Sequence, residues 1–129
     1  MLGSAMLGSA RLQTLVWSAD LPRARAFYSD VLGLRFKGEA QGALVYEVGG
    51  GDLRISPVPS TRPSEHTVLG FAVDDIVSVA AAMAARGLPT ERFAGFTHDE
   101  RGVWRAPDGT RVLWFRDPDG NLLSVVQYG

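Results

Sequence analysis

The stretch DLPRARAFYSDVLGL, residues 20–34, decides how the rest of the chain is read. Asp20 has a side chain suited to capping a helix, and Pro22 fits the first turn, where its missing N–H costs nothing. Ala24, Phe27, Tyr28 and Val31 then recur at helical spacing, and Gly33 supplies the residue that ends such a helix. In front of it, LQTLVWSA alternates like a strand. Leu12, Thr14 and Val16 lie on one face and Gln13, Leu15 and Trp17 on the other. Behind it come three short strands punctuated by glycine, LRFKGE, ALVYEV and DLRIS. The order is β-α-β-β-β.

The same order returns further on. TVLGFAVDDI opens a second strand and helix, with Asp74 or Asp75 as the cap and Ile76, Val79, Ala80 and Met83 as the buried stripe. Gly87 and Pro89 end that helix, and GVWRA, TRVLWFR and NLLSVVQ follow as strands. A constant offset of 55 residues lays Asp20 on Asp75, Val16 on Phe71, Leu15 on Gly70 and Gln13 on Val68. Duplication of a supersecondary unit predicts two modules related by a pseudo-twofold axis. Module one spans 11–58, the proline-rich run 59–65 is the linker, and module two spans 66–129, all within a single domain. One helix covers only one face of its sheet, so the other faces meet as a cup. The expected fold is α+β, two βαβββ modules in tandem forming a cup-shaped, partly closed mixed β-sheet with helices outside.

Composition narrows the function. The chain has 129 residues, 46% of them hydrophobic and 21% charged, as a globular domain has. A net charge of -1 gives no case for nucleic acid, and no apolar run is long enough to span a membrane. There is no cysteine, which excludes disulfides, thiolate metal sites and a cysteine nucleophile, and fits the cytoplasm. Residues 1–10, MLGSAMLGSA, lack the basic start and long apolar run of a secretory signal and read as a tail outside the fold.

Two Pro-Asp-Gly turns bracket the seventh strand in APDGTRVLWFRDPDGNLLSVVQ, residues 106–127. Each places Pro at the second turn position and Gly where positive φ is wanted, and Asp117 can bond back onto its own turn. They read as punctuation that sets the register of the last strand.

With these elements placed, the chain resembles the vicinal oxygen chelate superfamily: glyoxalase I, extradiol dioxygenases, fosfomycin-resistance enzymes and bleomycin-resistance proteins. The residues that carry it are DLPRARAFYSDVLGL (20–34), LGFAVDDI (69–76) and WFRDPDGNLLSVVQ (114–127). The resemblance implies a homodimer and, in the enzymes, a divalent metal in the cup. Its ligands there are a His or Gln on the first strand of each module and a carboxylate on the last. Transferred here, those positions fall on Gln13, on Val68, on Ser124 (four residues after Gly120) and on Arg54, or Ile55 if the register slips by one. Gln13 can donate to a metal. Val68 has no donor, a neutral hydroxyl is a poor ligand, and Arg54 is a cation where an acid belongs.

Other residues carry weaker signals. His66, two residues before Val68, is a substitute ligand if the strand begins early, and Glu47 is the acid a shifted set would use. His98, beside Asp99 and Glu100 in the loop HDER (98–101), has the makings of a general base, against the simpler reading of a solvated loop. GGGD (49–52) is a hairpin turn, since no helix follows it.

The expected ligand-binding residues are Gln13, Trp17, Arg54, Val68, Phe115 and Ser124. Phe115 is placed on the face of Ser124, with Trp114 turned to the helix side. A mostly apolar cup with one cation suits a flat, partly apolar small molecule bearing an anionic group. The expected function is a metal-independent, cofactor-free small-molecule binder of the bleomycin-resistance type. The alternatives are a metal-dependent lyase, isomerase or dioxygenase using Gln13, His66 and Glu47, and an interaction module whose cup is filled.

Overall fold

A computed structural model describes residues 6–129, so part of the tail reading (1–5) lies outside the described residues. The chain runs β1 (Gln13–Ser18), α1 (Leu21–Arg25), β2 (Arg35–Ala40), β3 (Ala43–Val48) and β4 (Gly51–Pro57). It then repeats as β5 (Thr67–Ala72), α2 (Ile76–Ala85), β6 (Trp104–Arg105), β7 (Arg111–Arg116) and β8 (Leu122–Gln127). Two four-stranded mixed sheets result, ordered β1-β4-β3-β2 and β5-β8-β7-β6. In each, the first strand pairs in parallel with the last and the remaining pairs are antiparallel. The fold is α+β, built of tandem βαβββ modules, and the sheets do not close into a barrel.

The helix signals act as their chemistry dictates. The Asp20 carboxylate accepts from the Arg23 amide, and the Asp75 carboxylate accepts from both the amide and the hydroxyl of Ser78. Asp75, not Asp74, is therefore the second cap. Gly33 and Gly87 end the two helices at φ of +73° and +67°.

The first helix departs from its simple periodicity. Beyond Arg25 it widens into a π-helical segment, Ala26–Val31, in which the Leu32 amide reaches back to the Phe27 carbonyl. The wide turn buries two residues adjacent in sequence, Phe27 and Tyr28.

Both modules share one apolar core. Val16, Leu44, Tyr46, Leu53 and Ile55 from module one join Ile76, Met83, Leu113, Phe115, Leu123 and Val125 from module two. Phe27 joins the two halves, its ring 6.4 Å from that of Phe115. The turn Asp117–Gly120 is the second link, and it does more than punctuate. The buried Asp117 carboxylate accepts from the Asp119 and Asn121 amides of its own turn and from the Tyr28 hydroxyl of module one. Asp119 accepts from the Ala19 amide, and the Asn121 side chain donates to the Trp17 carbonyl. The turn thus latches the start of β8 onto the end of β1. Among the described residues no helix is long and apolar enough to cross a membrane.

Candidate functional site

Strand alternation gives each sheet one face toward the helices and one uncovered face. On β1 the uncovered face carries Gln13, Leu15 and Trp17, the last two each 52% exposed. On β5 it carries Val68, 43% exposed, then Gly70 and Ala72. Leu53 and Ile55 are buried on the helix side of β4, which turns Arg54 outward opposite Leu15 and Ser56 opposite Trp17. Ser124 lies opposite both Gly70 and Trp114. Its Oγ would lie 3.1 Å from a Cβ added at Gly70, so a glycine there leaves room for the hydroxyl.

Phe115 is a correction. The register pairs it with Leu123 and pairs Trp114 with Ser124. The Asp117 amide bonds to the Asn121 carbonyl, leaving a three-residue loop closed by Gly120 at φ +85°. An odd-numbered loop reverses the parity that a four-residue turn would set. Phe115 is therefore 1% exposed in the core, bordering an apolar groove of about 340 Å³ between the two helices. Trp114 takes the uncovered face.

Around Trp114 stands an aromatic wall that the sequence reading did not assemble. Phe93 lies 5.3 Å from it, Phe96 5.8 Å, His98 6.0 Å and Trp104 6.2 Å, centroid to centroid. Phe96 and Trp104 meet edge to face at 4.7 Å. Phe93, Phe96 and His98 belong to the segment between α2 and β6, which module one lacks: there Gly33 is followed almost at once by β2. That asymmetry of the repeat, filled with aromatics among glycine and polar residues, was the available signal. The segment is tied down at several points. The Glu91 amide bonds to the Trp114 carbonyl, the Glu91 carboxylate pairs with Arg116 at 2.6 Å, and Arg92 donates to the carbonyls of Asp99 and Glu100. His98 has both ring nitrogens engaged, with the Phe93 amide and the Gly102 carbonyl, so it offers no free lone pair for general-base work.

Beside Leu15 and Trp17, the uncovered face of module one carries charged groups in place of a ring cluster. Asp52 is held by Lys37 at 2.9 Å and Arg11 at 3.1 Å, and the bond from Lys37 keeps its carboxyl below the usual carboxylate range. Glu47, the suspected acid, is paired with Arg35 at 2.8 Å. Arg54 donates to the Ala40 carbonyl and has no carboxylate partner among the described ion pairs. Trp17 lines a hollow of about 290 Å³ with Val58, Thr61 and Asn121.

These residues do not fit a divalent metal. Gln13 is the one good donor at the expected positions, Ser124 offers only a neutral hydroxyl, Val68 offers nothing, and Arg54 would repel a cation. Among the described residues no three His, Asp or Glu side chains converge. His66 is no ready substitute. The pairing of β5 with β8 slips between Thr67 and Leu69, so strict alternation does not carry from Val68 back to His66.

Two tandem βαβββ modules, each with one sheet face turned away from its helix, define the class of fold to which the chain belongs. The chain belongs to the Glyoxalase/Bleomycin resistance protein/Dioxygenase superfamily, whose family model matches residues 11–125. Among solved structures it is similar to lactoylglutathione lyase from Agrobacterium tumefaciens, at 25% identity and TM-score 0.71, over 92% of this chain and 93% of that one. It is also similar to TnmS3, an antibiotic binding protein from Streptomyces sp. CB03234, at 21% identity and TM-score 0.66, over 97% of this chain and 100% of that one. An integron cassette protein of V. cholerae matches at 24% identity and TM-score 0.66, over 98% and 100%. A comparison with curated proteins finds no match.

Proposed function

We propose that the protein is a metal-independent binder of a small, flat, aromatic or apolar molecule carrying an anionic group. The ligand lies against the uncovered face, its planar part toward Trp17 and the Trp114 wall and its anion toward Arg54, with Gln13, Val68 and Ser124 between them. The observation that carries this reading is the division of that face. One module offers a guanidinium with no carboxylate partner among the described ion pairs, the other a cluster of rings, and two of the positions where the family holds its metal carry Val68 and Ser124. Phe115 has no part in it.

Leu15, Trp17 and Val68 are large apolar groups left exposed on β1 and β5, which supports a second copy of the chain covering them and completing the cup. The cysteine-free composition suits a cytoplasmic binder.

A second reading is a metal-dependent lyase, favoured by the likeness to lactoylglutathione lyase. Against it stand the ion pair that occupies Glu47 and the exposure of His66. Elemental analysis of protein purified without chelator separates the two. The binder reading expects no stoichiometric metal, and stoichiometric Ni, Zn, Fe or Mn that is lost in Gln13→Ala would sink it.

A further inference from the structure

We propose that His98 is the positioning residue of the aromatic wall, and that the wall stands only while this imidazole is neutral, so that binding of an aromatic anion falls with pH. The inference rests on the proposed ligand site and adds its regulation. The Phe93 amide nitrogen lies 3.1 Å from His98 Nε2, and an amide N–H can only donate. The Gly102 carbonyl oxygen lies 2.8 Å from Nδ1, and a carbonyl can only accept. Together they demand one tautomer, with the proton on Nδ1 and a lone pair on Nε2. A second proton, on Nε2, would set donor against donor and leave the Phe93 amide without its acceptor.

The consequence reaches the site because of what the imidazole holds. Its two backbone partners stand at opposite ends of the segment that carries Phe93 and Phe96. Its ring also contacts Phe93, Phe96 and Trp114. Phe93 is the ring nearest Trp114 on that side, so releasing its amide loosens the wall where it meets β7. Asp99, Glu100 and Arg101 follow His98 directly in sequence, yet His98 takes part in none of the described ion pairs. The Asp99 carboxylate accepts from the Arg101 and Val103 amides, Arg92 donates to backbone carbonyls, and Glu91 pairs with Arg116. The rings packed on His98 are uncharged. Among the described ion pairs no carboxylate stands against the His98 ring to receive an added proton.

The chain has two histidines, which makes the test clean. His66 is exposed just before β5 and serves as the control. The probe is naphthalene-2-sulfonate, an anion across the whole range, titrated from about pH 7.5 to about pH 5. Wild type should lose about tenfold in affinity over that range, as expected for one buried hydrogen bond replaced by a donor clash. His98→Gln keeps an acceptor for the Phe93 amide but cannot titrate, so its profile should be flat. His66→Gln should follow wild type. Long-range ¹H–¹⁵N spectra of the ligand-free protein should show the Nδ1–H tautomer near neutral pH, and the Phe93 amide should move with protonation of His98. A flat wild-type profile, an Nε2–H tautomer, or a fall that survives in His98→Gln would overturn the proposal. If the probe does not bind at any pH, the ligand reading fails, while the tautomer and the Phe93 amide still decide the role of His98.

Discussion

The Tyr28 hydroxyl donates a 2.7 Å hydrogen bond to the Asp117 carboxylate across 89 residues of sequence, fastening the first helix to the turn that launches the last strand. Both groups are buried. Removing the hydroxyl leaves a carboxylate short of one donor in a site that water does not reach. Tyr28→Phe should therefore cost about 1.5–3 kcal/mol of unfolding free energy in urea, the usual worth of one hydrogen bond to a charged group, since the Asp119 and Asn121 donors remain.

The same pair predicts an alkaline limit. Burial first, and then the Asp117 charge, raise the Tyr28 pKa far above its ordinary value, so the folded protein keeps this hydroxyl protonated. A pKa raised on folding gives stability that is fully present below the unfolded value and is lost as pH rises toward the folded one. Wild type should lose stability above about pH 10, where a tyrosine in the unfolded chain ionises. Tyr28→Phe should lose less over the same interval, as unfolding curves across that range will show.

The cap of α2 responds at the other end of the scale. The Ser78 hydroxyl and amide hold the Asp75 carboxyl below its ordinary range. A depressed carboxyl contributes stability above its unfolded value and loses it as pH falls through the folded one. Helix content measured by circular dichroism should therefore decline as acid titrates Asp75, and Asp75→Asn should retain the cap with a flatter acid profile.

Gly120 is where the latch has no slack. Its φ is +85°, and a Cβ there would come within 3.0 Å of the Pro63 Cα in the linker. Gly120→Ala should destabilise the protein by about 1–3 kcal/mol through the strained backbone and the crowding.

The two faces of β7 give opposite outcomes. Phe115→Ala should cost about 3–5 kcal/mol, the usual result of emptying an aromatic site in a core. Trp114→Phe should weaken quenching of tryptophan emission by an aromatic ligand while leaving the urea midpoint much closer to that of wild type. The reverse pattern would mean that the register has been misplaced by one residue.

That pair also marks the limit of what the sequence made legible. The duplicated order of elements, the cap at Asp20, a second cap at Asp74 or Asp75 and the outward Gln13-Leu15-Trp17 row all follow from local pattern in the chain. The orientation of Trp114 depends on the parity of one loop, and a turn motif that closes with three residues rather than four inverts it. The wall of Phe93, Phe96, His98 and Trp104 was hidden for another reason. It is built by tertiary contact of an irregular segment, with no period to read. The second function of Asp117, as an acceptor for Tyr28, was equally invisible, because its partner lies in the other module.

The central claim is that Arg54 and the aromatic wall bind an aromatic anion without help from a metal. Its most direct test is a fluorescence titration of chelator-treated protein with naphthalene-2-sulfonate, in wild type and Arg54→Ala. All three tryptophans, Trp17, Trp104 and Trp114, lie on the uncovered face, so bound ligand should quench their emission. Saturable quenching that survives chelation and weakens about tenfold in Arg54→Ala, as loss of a charge-assisted contact implies, is the predicted result. Quenching that appears only on adding a divalent metal, or that is indifferent to Arg54, would contradict it.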